Sequence, residues 1–63
     1  MYKILWIPKV IDYIPSKQGA EHLAYQYGGR ILNIEFDRLS DAIPVTNTLN
    51  HESDGCYYAF CND

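Results

Sequence analysis

Residues 16–29, SKQGAEHLAYQYGG, decide how the rest of the chain is read. The Ser16 hydroxyl can accept from an orphan backbone N–H of a helix's first turn. Behind it Ala20, Leu23, Ala24 and Tyr27 fall at i, i+3, i+4 and i+7, one stripe on a 3.6-residue period. The stretch therefore predicts a helix with one buried face, and its two alanines let it lie close to a sheet. Gly28 and Gly29 end it, because a left-handed C-terminal cap costs glycine almost nothing.

Both flanks of this helix read as strands. Tyr2 to Ile7, YKILWI, is rich in β-branched and aromatic residues and stops at Pro8. Tyr2, Ile4 and Trp6 share one face and Lys3, Leu5 and Ile7 the other, so both faces are largely apolar, as in an inner strand. Arg30 to Phe36, RILNIEF, alternates Leu32, Ile34 and Phe36 against Ile31, Asn33 and Glu35, which implies one buried and one partly wet face. Strand, helix and strand joined by short links suggest a right-handed crossover with the two strands parallel.

The connections are less regular. Residues 8–15, PKVIDYIP, hold Val10, Ile11, Tyr13 and Ile14, too much apolar surface for a free loop; they need cover from the domain or from a partner. Each of the three prolines follows an isoleucine, at Ile7, Ile14 and Ile43, and a residue before proline is pushed towards extended backbone. From Asp37 onward the expectation is one short helical turn carrying Leu39, Ala42 and Ile43, closed by Pro44. Val45 to Leu49 then reads as a strand, and SDG at 53–55 as the turn of a hairpin into CYYAFC at 56–61.

CYYAFC carries both cysteines of the chain. In a regular strand, residues five apart point to opposite faces and their Cα atoms lie about 16 Å apart at ~3.3 Å per residue. A disulfide requires Cα atoms within about 7 Å, so the pair cannot be bridged there, nor can it share a metal. Packed thiols are the expectation. Cys56, Tyr58 and Phe60 would form one row and Tyr57, Ala59 and Cys61 the other.

The fold class that follows is α+β: residues 1–63 as a single small domain, with one helix on a three- to four-stranded sheet in the order β-α-β-turn-β-β. A chain of 63 residues hides only about 60 % of its unfolded surface, so its core is thin and a deep catalytic cleft is not expected. The apolar share of 48 % belongs to a folded protein. Ile4 to Ile7 is too short for a signal-peptide core or a membrane span, which makes the cytoplasm the expected compartment. Thiols there stay reduced.

Charge is distributed unevenly within a net −3. Residues 1–34 set Lys3, Lys9, Lys17 and Arg30 against Asp12 and Glu21, whereas residues 35–63 set Arg38 alone against Glu35, Asp37, Asp41, Glu52, Asp54 and Asp63. Direct binding of nucleic acid is disfavoured by this balance; a basic protein partner is suited to the second half. An acidic solvated surface with no partner is the plain alternative.

Known chemistries find little footing. NHESD at 50–54 brings His51, Glu52 and Asp54 together, but a zinc site needs four donors at defined spacings, and the other histidine, His22, projects from the helix face opposite the alanines. Glu35 and Asp37 share a strand face, yet acid and base roles need burial that splits their pKa values. GGR at 28–30 runs from helix into strand, the wrong end of the dipole for a phosphate loop. No GxSxG elbow is present, and neither cofactor nor metal is expected.

A single tiny acidic domain without a leader or catalytic motif, carrying six tyrosines, resembles in general character the small phage-encoded anti-defence proteins, including the anti-CRISPR type. The resemblance covers the whole chain, rests on no motif and transfers no residue role. It implies a non-enzymatic protein in the host cytoplasm that blocks a nucleic-acid-binding defence complex by occupying a basic surface, with nucleic-acid mimicry as one means. The candidate contact residues are Glu35, Asp37, Asp41, Glu52 and Asp54 for charge, with Tyr25, Tyr57 and Tyr58 as aromatic anchors. With one helix, one sheet face would remain for a partner, either the Tyr2, Ile4, Trp6 row or the Lys3, Leu5, Ile7 row. A homodimeric regulatory or structural module, joined through that face or through PKVIDYIP, is the alternative; a metal- or thiol-dependent enzyme is the third.

Overall fold

The computed structural model describes residues 1–53 and 56–63. Its elements are β1 (Tyr2–Ile7), α1 (Lys17–Tyr27), β2 (Arg30–Ile31), α2 (Leu39–Glu52) and β3 (Cys56–Cys61). The three strands form one antiparallel sheet in the order β2-β1-β3, so the fold is α+β with the first strand in the centre.

α1 forms as its residues require. Ser16 is extended and its Oγ accepts from Gly19 N at 3.1 Å. Gly28, at φ 68°, caps the other end in the left-handed region, and Gly29 N donates to Ala24 O at 2.8 Å. Ala20 and Leu23 are buried against Leu5, Ile7 and Phe60, with Ile11, Ala24, Tyr27, Ile31 and Tyr58 packed around them. Register explains the company: Leu5 pairs with Tyr58 and Ile31, Lys3 with Phe60 and Ile7 with Cys56, and directly opposed residues share a face.

The expected parallel crossover is not formed, and Gly29 shows why. A Cβ on Gly29 would collide with the Trp6 carbonyl and lie 2.7 Å from Ile7 Cγ2, so α1 leaves its last turn beside the end of β1. From there the chain can only run back along β1, and Trp6 pairs with Arg30. The connection through Pro8 to Pro15 has already carried the chain back along the sheet, which its length allows at ~3.3 Å per residue. The second expected strand is also shorter than RILNIEF. After Ile31 only Leu32 N, donating to Ile4 O at 2.9 Å, continues the ladder, and Phe36 returns to pair with Tyr2. Between these points the chain bulges outward and leaves Ile34 exposed.

A second correction concerns residues 37–53. In place of a short turn and a hairpin strand at Val45 to Leu49 there is one helix, α2, running straight through Pro44. Ala42, Val45, Thr46 and Leu49 repeat the i, i+3, i+4, i+7 spacing of α1, and Ala42 and Thr46 are buried. α2 packs on β3 and β1 and does not touch α1. Because Ile4 and Leu5 point to opposite faces and both are fully buried, the two helices cover the two faces of the sheet. The sheet face that a one-helix reading leaves open is thus occupied by α2. Trp6, at the uncovered end of that face, is half-buried between Tyr57, its cross-strand partner, and Arg30, whose guanidinium lies 5.9 Å from the indole centroid.

Candidate functional site

Three of the predicted acidic residues fall within seven positions of the chain, at the end of the sheet segment and the start of α2. Glu35 and Asp37 flank Phe36, which is fixed by a reciprocal pair of backbone bonds: Tyr2 N donates to Phe36 O at 2.8 Å and Phe36 N to Tyr2 O at 2.9 Å. That pinning holds both carboxylates at the margin of the sheet. Asp41 follows in the first turn of α2, where unpaired backbone N–H groups favour negative charge. All three are exposed. Glu35 lies 4.0 Å from Lys3 Nζ, and among the described residues neither Asp37 nor Asp41 makes an ion pair.

Glu52 stands apart, in the last turn of α2. Eleven residues separate it from Asp41, which at 1.5 Å per residue is about 17 Å along the same side of the helix. Asp54 lies outside the described residues.

The three candidate tyrosines occupy different places. Tyr25 is 90 % exposed on α1, in the layer opposite α2 and its carboxylates. Tyr57 lies on the α2 side of the sheet and is half-buried beside Trp6. Tyr58 faces α1, and its hydroxyl is used internally: it accepts from Ile11 N at 3.0 Å and donates to Lys9 O at 3.1 Å. Burial pushes the Tyr58 phenol above its ordinary pKa, opposed by the bond from Ile11 and reinforced by Cys56. Its role is to clamp residues 9–11 over the core.

That clamp sorts the apolar segment 8–15. Ile11 is drawn onto the core, whereas Val10, Tyr13 and Ile14 remain exposed. Lys9 is tied to Tyr27, donating to its hydroxyl at 2.9 Å and lying 4.7 Å from the ring centroid; this bond holds the ammonium above its usual pKa. Val10 and Ile11 line a shallow cavity of about 450 Å³ together with Leu23 and Tyr27.

The feature that sequence reasoning missed is a groove of about 300 Å³ between α2 and β3. Leu39, Ile43 and Asn50 line it from the helix, Tyr57 and Ala59 from the strand, and Ile14 from the segment before α1. Leu39, Ile43 and Ile14 are exposed apolar residues. The residues predict Leu39 and Ile43 on one helical turn; what escapes the sequence is the continuation of that turn past Pro44 onto β3, which makes the groove.

Asn50 makes a specific contact at the end of this groove. Its Oδ1 accepts from Tyr57 N at 2.7 Å and its Nδ2 donates to Tyr57 O at 3.0 Å, as the backbone of a neighbouring strand would. No group of three or more His, Cys, Asp and Glu side chains able to hold a metal occurs among the described residues. Cys56 and Cys61 are free, and β3 is regular between them. Among the described residues no helix is long and apolar enough to cross a membrane. No family description, curated protein or solved structure matches the chain.

Proposed function

We propose that this chain is a non-enzymatic protein-binding module that inhibits by occupying a partner's surface, in the manner of small phage-encoded anti-defence proteins of the anti-CRISPR type. The partner presents a basic surface that otherwise holds DNA or RNA, and the encounter takes place in the host cytoplasm. The observation that carries this reading is the run of Glu35, Asp37 and Asp41, fixed by the Phe36–Tyr2 bridge and the first turn of α2 and met, among the described residues, by one lysine only. Preset exposed carboxylates speed the approach to a basic groove and repel phosphate, so the same surface recruits the protein partner and excludes nucleic acid. Glu52 extends the acidic side along α2, and exposed Ile34 supplies apolar contact beside it.

The test is expression in bacterial strains with active CRISPR interference, one per effector type, followed by phage plating and by nucleic-acid binding with the purified effector. Plating is expected to recover in at least one strain. There, binding of the chain to the effector should weaken at least tenfold between 50 and 500 mM salt. Changing Glu35, Asp37 and Asp41 together to lysine should abolish inhibition while leaving the circular dichroism spectrum unchanged. No recovery in any strain would sink the inhibitor reading, and salt-independent binding would sink the charge mechanism.

A further inference from the structure

The two edges of the sheet are finished differently. β2 offers two residues and then bulges away, whereas β3 is a regular six-residue edge. The ladder phase says which groups of β3 point outward. Asn62 N donates to Met1 O, so even-numbered residues of β3 bond to β1, and Tyr57, Ala59 and Cys61 turn their N–H and C=O groups away from it. Asn50 takes both groups of Tyr57. Among the described residues no hydrogen bond reaches the main chain of Ala59 or Cys61.

We infer that this edge is a self-association site: β3 pairs antiparallel with β3 of a second copy about a two-fold axis at Phe60, joining two sheets into one of six strands. In that register Ala59 of each copy stands opposite Cys61 of the other. Each such pair exchanges two backbone bonds, so four bonds use the groups left open; opposite Tyr57, where the Asn50 carboxamide already sits, the second copy's Asp63 turns out of the strand line. A two-fold axis normal to the sheet also leaves both α2 helices on the same face. Leu39 and Ile43 then meet their own counterparts across the groove.

Two observations suit a second copy better than an unrelated strand. Pairing about Phe60 needs only the open groups of Ala59 and Cys61, whereas an unrelated strand running the length of β3 also meets Tyr57, whose two groups Asn50 already takes. The groove beside them has no charged residue in its lining, so two chains of net −3 can meet there without opposing like charges. Four backbone bonds are not sufficient alone. A stable dimer hides at least about 600 Å² per partner, about a seventh of the 4290 Å² exposed by one chain. Ile14, Leu39 and Ile43 must therefore be part of the contact.

Light scattering across a concentration series tests the inference, with no binding target required, so its failure and that of the inhibitor reading are separate results. The expected mass is twice the 7.3 kDa of one chain. Ala59→Pro deletes an outward N–H at an edge, a position where proline is tolerated, and should give a folded monomer. Ile43→Lys places two ammonium groups across the axis and should raise the dissociation constant at least tenfold even if the proline variant does not fold. In a Cys56→Ser background a short bismaleimide should link Cys61 to Cys61, whose Cα atoms would stand diagonally about 7–8 Å apart. A monomer at all concentrations overturns the inference. So does a dimer that neither substitution weakens and that the reagent does not link.

Discussion

α1 and α2 present the same apolar spacing to opposite faces of one sheet, yet they are built on different terms. α1 has a serine cap in bond with Gly19, a left-handed glycine at its end and, apart from Gly19 in its first turn, no strong helix breaker. α2 begins at Arg38 without a side-chain cap, carries Pro44 in its second turn and holds four β-branched residues, Ile43, Val45, Thr46 and Thr48. Pro44 has no N–H for the Ser40 carbonyl and crowds it. Thr46 and Thr48 turn their hydroxyls back onto Ala42 O at 2.8 Å and Pro44 O at 3.0 Å, so the polar atom that α2 buries is satisfied within the helix. α1 is specified by its own residues; α2 is made helical by what it covers, since Ile4 and Ala59 would otherwise face water.

The sharpest way to break this contrast lies at the end of α1. Gly29→Ala should cost more than about 3 kcal/mol or abolish folding, because its Cβ meets the backbone of Trp6, which cannot move without breaking the sheet. Gly28→Ala, with open space around it and only the left-handed φ against it, should cost about 1 kcal/mol. Equal costs in urea unfolding would mean that the close approach to Trp6 does not fix the turn.

Pro44→Ala should act in the opposite direction. Restoring the bond to Ser40 and removing the clash should stabilise the protein by about 2 kcal/mol, the helix-propensity difference less the entropy restored to the unfolded chain. A loss of stability would show that Pro44 packs as a required side chain and that α2 is not the weaker helix.

The smallest effect comes from exchanging caps. Ser16→Ala should remove about 1 kcal/mol, and Arg38→Ser, at an extended position ready to cap, should add about as much to α2. If both are silent, neither helix depends on its first turn.

The same contrast explains what could be read from the residues. β1, α1 and β3 were legible because local preference and tertiary role agree in them: strand formers in strands, and a capped amphipathic stretch in the helix. α2 was not, because Pro44 and its β-branched neighbours speak locally for turn and strand while the Ala42, Val45, Thr46, Leu49 stripe speaks for helix. Only the contact with Ile4 decides between them. The parallel reading of β2 failed for a related reason, since the exit direction of α1 depends on Gly29 meeting Trp6. Of the candidate surface, the charge of Glu35, Asp37 and Asp41 was legible, but their fixing by Phe36 was not. The open groups of Ala59 and Cys61 follow from strand order, which no local pattern contains.

The central position of β1 also bears on how fast this molecule can fold. Its outer partner begins with Cys56 opposite Ile7 and ends with Cys61 opposite Tyr2, so the main ladder closes loops of 49 to 59 residues. Most of the chain must be confined before that pairing returns any free energy, and such distant pairing slows folding far more than it lowers stability. Until β3 docks, α2 has only β1 to lie on and β1 has one flank unpaired. Phe60, which joins β3 to the core beneath α1, is then the residue on which completion of both layers waits.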